Sequence, residues 1–249
     1  MPSGDQNAII RLFHVHKRYG PKAALTDISM DVFKNEFLFI CGPSGAGKST
    51  LLKLLYLAEP VSEGQILIDG MNLARITRRG LPFLRRKLGI IFQDYKLIST
   101  LTIYENVSLP LAVMGQKKRL IEKKTRSVLR TVGLEDRLDA FPQSLSGGEQ
   151  QRVAVARAVV GNPKIVLADE PTGNLDREAA AAIFDLLAAF HLKGATIVVA
   201  THDRDLVQKY KGRTVTLNQG HLVSSAELCS DPSFTAICGE TQHRLARIP

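Results

Sequence analysis

Residues 42–50 read GPSGAGKST, the GxxxxGK[ST] spacing of a loop that wraps a polyphosphate. Gly42, Gly45 and Gly47 let the backbone turn close to the phosphates. The amides of the loop, which also holds Pro43, Ser44 and Ala46, and the N-terminus of the helix that follows can then point at the anion. Lys48 is placed for the β- and γ-phosphates, Ser49 offers a hydroxyl ligand for Mg²⁺, and Thr50 is near enough to touch phosphate. The ligand this predicts is a nucleoside triphosphate.

A second group follows far downstream. In IVLADE, residues 165–170, two carboxylates come directly after an apolar run, which sets them at the end of a parallel strand, where open α/β sheets bind ligands. Asp169 fits the acid that holds Mg²⁺, usually through water, and Glu170 the base that polarises an attacking water. Between the two groups stands LSGGEQQR at 145–152, opening the apolar-periodic run VAVARAVV. Ser146 is placed to cap that helix, and the amides of Gly147 and Gly148 form an anion site at its N-terminus.

These residues need a scaffold, and the periodicity supplies one. Alternation at Ile28, Met30 and Val32, then the run Phe37–Cys41, predicts two strands, the second delivering the phosphate loop. Segments around Gln65–Asp69 and Leu88–Phe92 are also strand-like. Ile121, Val128, Leu129 and Val132 recur at helical spacing, so a mostly helical insert is expected from about Lys118 to Val160. Lys164–Ala168 and Ala195–Ala200 read as buried strands flanking a helix from about Arg177 to Leu192, the alternation of parallel βαβ units. Thr214–Leu217 and His221–Ser224 flank an Asn-Gln-Gly turn and predict a hairpin. Met1–Ala8 and roughly Ala226–Pro249 are expected to be peripheral.

The composition narrows the class. A chain of 249 residues with mean hydropathy near zero suits one large α/β domain or a domain with a subdomain. No apolar run approaches the roughly 18 residues of a membrane span, and the N-terminus lacks the basic-then-apolar order of a signal peptide, so a cytoplasmic location is expected. Cys41, Cys229 and Cys238 have no metal or redox spacing and read as reduced thiols. The formal charge of +9 fits an anionic partner: a nucleotide, nucleic acid or a membrane surface. Its basic clusters, Arg78 to Lys87 and Lys117 to Arg126, lack the interleaved aromatics that stack on bases, so no specific nucleic acid is expected.

Taken in this order, the motifs make the chain from about Ile10 to Val223 resemble a nucleotide-binding domain of the ATP-binding cassette superfamily. The resemblance implies an α/β P-loop NTPase core with a mostly parallel sheet, an N-terminal antiparallel β subdomain and a helical signature subdomain. It implies a cassette over 9–224, with the helical part at about 94–160 and an extension of unknown role at 225–249. It implies ATP and Mg²⁺ as cofactors and an ATP-dependent homodimer, in which Ser146, Gly147 and Gly148 close over the γ-phosphate bound by the other protomer. Gln93, in IFQD, resembles the glutamine that touches Mg²⁺ and the water and senses a membrane partner. His202, in ATHD, is similar to the switch histidine on the γ-phosphate, and Asp176, in TGNLD, to the aspartate at the dimer seam. Tyr19, in HKRYG, matches the aromatic that stacks on adenine, an interaction of about 1–3 kcal/mol.

Within the superfamily, PFLRRKLGIIFQDYKL at 82–97, LTIYENVSLPL at 101–111 and VLADEPTGNLD at 166–176 resemble the cassettes of bacterial cell division. The last two stretches are shared with cassettes for lipoprotein release and macrolide export. The resemblance implies an ATP hydrolase held peripherally at the cytoplasmic face of the cell membrane by an FtsX-like integral membrane protein that regulates cell-wall hydrolases. Its rivals are a lipoprotein-release or macrolide-export ATPase and an ATP-gated scaffold that needs no turnover.

Overall fold

In the computed structural model, residues 7–223 are described. The extension at 225–249, Ser224, Cys229 and Cys238 lie outside them. In chain order the elements are β1 (Ala8–Tyr19), β2 (Lys22–Phe33), β3 (Phe37–Cys41), α1 (Lys48–Leu55), β4 (Glu63–Ile68), β5 (Met71–Asn72), α2 (Leu81–Arg85), β6 (Leu88–Ile91), α3 (Ile103–Val113), α4 (Lys118–Thr131), α5 (Gly147–Val159), β7 (Ile165–Asp169), α6 (Arg177–Leu192), β8 (Thr196–Ala200), α7 (Arg204–Tyr210), β9 (Arg213–Asn218) and β10 (His221–Val223).

The strands divide into two sheets. An antiparallel sheet runs β2-β1-β4-β5, and a second runs β10-β9-β3-β8-β7-β6. In the second, β9, β3, β8, β7 and β6 are parallel and only β10 is antiparallel, on β9. The central strands are apolar throughout because both of their faces are covered. Alternate residues serve two cores. Leu38, Ile40, Leu167, Val198 and Ala200 pack with α1 and the antiparallel sheet through Leu51, Leu52, Leu55, Ile10, Leu25 and Ile66. Phe37, Phe39, Val166, Ala168, Ile197 and Val199 face the helices through Val107, Leu129, Val153, Ile183, Phe184 and Leu187. Phe39 stacks on Phe184 with ring centroids 6.1 Å apart.

Two expectations need correction at their edges. Ala8 is not peripheral: it begins β1, an interior strand of the antiparallel sheet, and pairs with Phe33. The strand escapes a period-2 reading because its register shifts at several points and His14 sits at φ 44. The helical insert that periodicity places at Lys118 to Val160 also begins earlier, at α3, within the 94–160 that the resemblance implies. Pro110 lies inside α3 and disguises it, yet the helix starts on a capping box in which the Thr102 hydroxyl accepts from the Glu105 N–H. Fully buried Asn106 fixes the turn before it, accepting from the Ile98 N–H and donating to the Ile98, Leu101 and Thr102 carbonyls.

Candidate functional site

The phosphate loop connects the end of β3 to α1, so it emerges at the carboxyl edge of the parallel sheet. Its tightness is visible at two glycines. A Cβ on Gly42, at φ 148, would fall 2.2 Å from the Leu217 carbonyl oxygen, and one on Gly47, at φ 105, 2.8 Å from that of Ala24. Gly47 is the N-cap of α1 and brings no side chain to cap it, which leaves first-turn amides open to a ligand. The loop is braced from the β9–β10 turn, where the Gly220 N–H donates to the Ala46 carbonyl at 3.1 Å.

Tyr19, Ser44, Gly45, Gly47, Lys48, Ser49, Thr50, Gln93 and Glu170 line one cleft of about 640 Å³. Lys48 is 4 % exposed at its base. Its Nζ donates to the carbonyls of Gly42 at 2.8 Å and Pro43 at 3.1 Å and lies 3.3 Å from Glu170 Oε1. An ammonium has three N–H bonds, so these partners satisfy it fully. The other oxygen of Glu170 is 3.2 Å from His202 Nδ1. Glu170 itself has φ 43 and is held there by its N–H donating to the Ala200 carbonyl at 2.9 Å, a backbone conformation uncommon for a side-chain-bearing residue.

Asp169 ends β7, where its Oδ1 accepts from the Ser49 hydroxyl at 2.9 Å. Burial pushes its carboxyl above the usual range, with the Ser49 hydrogen bond and nearby Lys48 opposing. Gln93 faces the same place: a Cβ on Gly173 would lie 3.2 Å from Gln93 Nε2 and 3.7 Å from Glu170 Oε2. Cys41, just before the loop, has its thiol pushed by burial to about 11 and is a packing residue.

Ser146, Gly147, Gly148 and Asp176 lie apart from the residues lining this cleft. Ser146 caps α5 as expected, in a reciprocal box with Glu149: the Ser146 hydroxyl accepts from the Glu149 N–H at 3.3 Å, and Glu149 Oε2 accepts from the Ser146 N–H at 2.9 Å. Asp176 caps α6, accepting from the Ala179 N–H at 2.8 Å. The neighbours of Gly147 are Tyr95 and Leu175, so the signature turn sits beside the segments that follow Gln93 and precede Asp176.

Sequence reasoning missed several residues here. Lys22, Ala23, Ala24, Gln219 and Gly220 also line the cleft. Lys22, Ala23 and Ala24 open β2, and Gln219 and Gly220 form the β9–β10 turn, at which only the Asn-Gln-Gly hairpin signal hinted. Arg157 was missed as well. From α5 it donates to the carbonyls of Lys96 at 2.6 Å and Tyr95 at 2.7 Å, tying the signature helix to the segment carrying Gln93. Its position in VAVARAVV marks it only as a polar interruption of an apolar helix.

A sequence profile described as ABC transporter matches residues 25–173. The chain is 45% identical over 215 residues to the cell division ATP-binding protein FtsE of Escherichia coli, covering 86% of this chain and 97% of that protein. It is 44% identical over 217 residues to FtsE of Bacillus subtilis, covering 86% and 95%. Among solved structures it resembles the dimeric bacterial ABC transporter cassette MJ0796, with a TM-score of 0.80 and 36% identity over 86% of this chain and 97% of that one. The post-hydrolysis dimer of MJ0796 bound to ADP and Pi gives 0.79 and 35% over the same shares. With its phosphate loop, its Asp169–Glu170 strand end and its signature helix in one P-loop fold, the chain belongs to the ABC transporter family and is an ATP-binding hydrolase of the ABC type, similar to FtsE.

Proposed function

We propose that this chain is the ATPase subunit of a membrane complex of bacterial cell division, working as an ATP-dependent homodimer on an FtsX-like integral membrane partner that regulates cell-wall hydrolysis. The observation that carries the reading is the extent of the likeness to FtsE, which spans the whole cassette rather than its shared motifs. No helix among the described residues is long and apolar enough to cross a membrane, so attachment at the cytoplasmic face of the cell membrane falls to a partner.

The geometry supports a set of roles for the site residues. Loop 42–50 takes the phosphates and Tyr19 the base. Lys48 has no spare N–H, so a γ-phosphate must take the place of one of its partners. Glu170, on a side chain, is freer to leave than two loop carbonyls. Released from Lys48, Glu170 is free to take the proton of an attacking water, while His202, already within 3.2 Å of it, reaches the γ-phosphate. Gln93, in the same cleft and near Glu170, would meet the water and the metal. Ser146, Gly147 and Gly148 serve the partner protomer's nucleotide, with Asp176 beside them at the seam.

Ser49, Asp169 and Gln93 are the groups that would hold Mg²⁺. They fit it: the Ser49 hydroxyl and the Asp169 carboxylate, both hard oxygen donors, meet at 2.9 Å, and Gln93 lines the same cleft as Ser49. Mg²⁺ would suit such a site, because it needs only one or two protein carboxylates beside substrate phosphates and waters. When bound it neutralises charge on the β- and γ-phosphate oxygens.

Fractionation of cells with and without the membrane partner tests the assignment. Basic patches alone contribute about 1 kcal/mol per Lys or Arg near an anionic surface and weaken with salt. Membrane retention that survives high salt only when the partner is present is expected; equal salt release in both cases overturns the docking.

A further inference from the structure

Lys17 is 8 % exposed, a rare situation for a lysine, and its surroundings explain what it holds. It stands two residues before Tyr19 at the end of β1. Its Nζ donates to the Pro60 carbonyl at 3.0 Å and lies 3.1 Å from Glu59 Oε2. The same nitrogen is 4.9 Å from the centroid of the Tyr19 ring, within cation–π range. Tyr19 Oη donates to the same Glu59 oxygen and also meets the Thr50 hydroxyl at the end of the phosphate loop. The phenol is thus held at its face by Lys17 and at its tip by Glu59. The residue remains 43% exposed and lines the nucleotide cleft.

We propose that Lys17 and Glu59 are positioning residues that clamp the Tyr19 ring as the platform for the nucleobase, setting nucleoside affinity without touching the nucleotide. The clamp rests on the reading of Tyr19 as the base platform. Two observations bind the pair to the ring rather than to the fold alone: both partners converge on one side chain, and Glu59 Oε2 is shared between the lysine and the phenol. The hydrogen bond from Tyr19 is also the main cause holding the Glu59 carboxyl below its usual range. A ring already fixed loses no rotamer freedom when a base lands on it, and such preorganisation is worth about three- to tenfold in affinity.

The test titrates the full chain with Mg-ATP and, separately, with inorganic tripolyphosphate, which has no base. Lys17→Met and Glu59→Gln are expected to weaken ATP about three- to tenfold and leave tripolyphosphate unchanged, with Lys17→Arg recovering most of the loss. Glu59 is partly exposed, so its variant keeps the test alive if Lys17→Met fails to fold. If Tyr19→Ala weakens ATP while Lys17→Met and Glu59→Gln bind like wild type, the clamp is wrong and the platform stands. If Tyr19→Ala binds ATP normally, the platform reading itself is wrong. Parallel losses of ATP and tripolyphosphate in the clamp variants would show a structural tie and overturn the proposal.

Discussion

Two helices of this molecule begin on glycine-rich turns, and their N-termini are finished in opposite ways. At α1 the N-cap is Gly47, with no capping side chain and no acidic residue in the first turn; the buried cation Lys48 stands there instead. At α5 the N-cap is Ser146, closed by a reciprocal box with Glu149, an acid in the first turn. The helix dipole favours negative charge at both places. The first terminus therefore leaves its attraction for phosphate unspent within the chain, whereas the second has met part of it internally. What α5 still has to offer is the pair of amides of Gly147 and Gly148 and, once it turns from the Glu149 carboxylate, the proton of the Ser146 hydroxyl. Such a weak, partly satisfied site suits a second-comer: a phosphate already bound elsewhere and brought by a partner.

Breaking the strong terminus has the largest expected effect. Lys48→Ala removes the cation from the loop and is expected to abolish measurable ATP binding, and with it ATP-dependent dimerisation. Nucleotide titration checks this, and binding unchanged from wild type would remove α1 as the phosphate site. Next comes Glu170→Gln, for which loss of a general base predicts a fall of about 10²–10⁴ in hydrolysis. The substitution also withdraws a negative charge from beside Lys48, so ATP and Mg²⁺ are expected to gather the variant as a stable dimer in size-exclusion chromatography. Cells relying on it are expected to form filaments or chains. A variant that stays monomeric refutes the base assignment as argued; a stable dimer that supports normal division favours an ATP-gated scaffold over a cycling motor.

The weak terminus is tested by Ser146→Arg. Loss of one oriented donor to a developing oxyanion costs on the order of 10²–10³ in rate. Hydrolysis and closure should fall by that scale while ATP binding to monomers stays within about twofold, because α5 does not line the cleft of its own chain. Mixing with Lys48→Ala protein sharpens the contrast, since each heterodimer then retains at most one working site. Loss of monomer ATP binding in Ser146→Arg would make both termini parts of one cis site and erase the comparison.

Much of this is legible in the sequence. The loop, Asp169, Glu170 and the Ser146 cap carry their chemistry within short stretches of chain, and β3, β7 and β8 announce themselves as apolar runs because both faces are buried. Other features depend on contacts far apart in sequence. The pairing of Lys48 with Glu170 joins the start of α1 to the end of β7, far apart in the chain, Arg157 reaches the segment after Gln93 from another helix, and Gly220 braces the loop at Ala46 from the last hairpin. β1 was hidden for a different reason: its bulges erase the alternation that marks a strand. Pro110 concealed α3 by setting a helix breaker inside it.

The smallest expected effect concerns the charge at the α5 cap. Glu149→Gln keeps an acceptor for the Ser146 N–H but removes the carboxylate facing the dipole. A charge at a helix terminus contributes about 0.3–1 kcal/mol at low ionic strength, which for a chain of this size moves the melting temperature by about 1–3 °C. The pH dependence has a definite sign. Hydrogen bonding from the Ser146 backbone holds the Glu149 carboxyl below its ordinary value, with burial opposing. A lowered folded-state value means that the stabilisation is present above the unfolded-chain pKa of about 4.3 and is lost as pH falls through the folded value. Melting curves of wild type and Glu149→Gln are therefore expected to differ at pH 7 and to converge in acid, and the difference at pH 7 should shrink with added salt. Identical melting at pH 7 in low salt would mean that Glu149 supplies geometry but no charge to α5, and the contrast with α1 would then rest on hydrogen bonding alone.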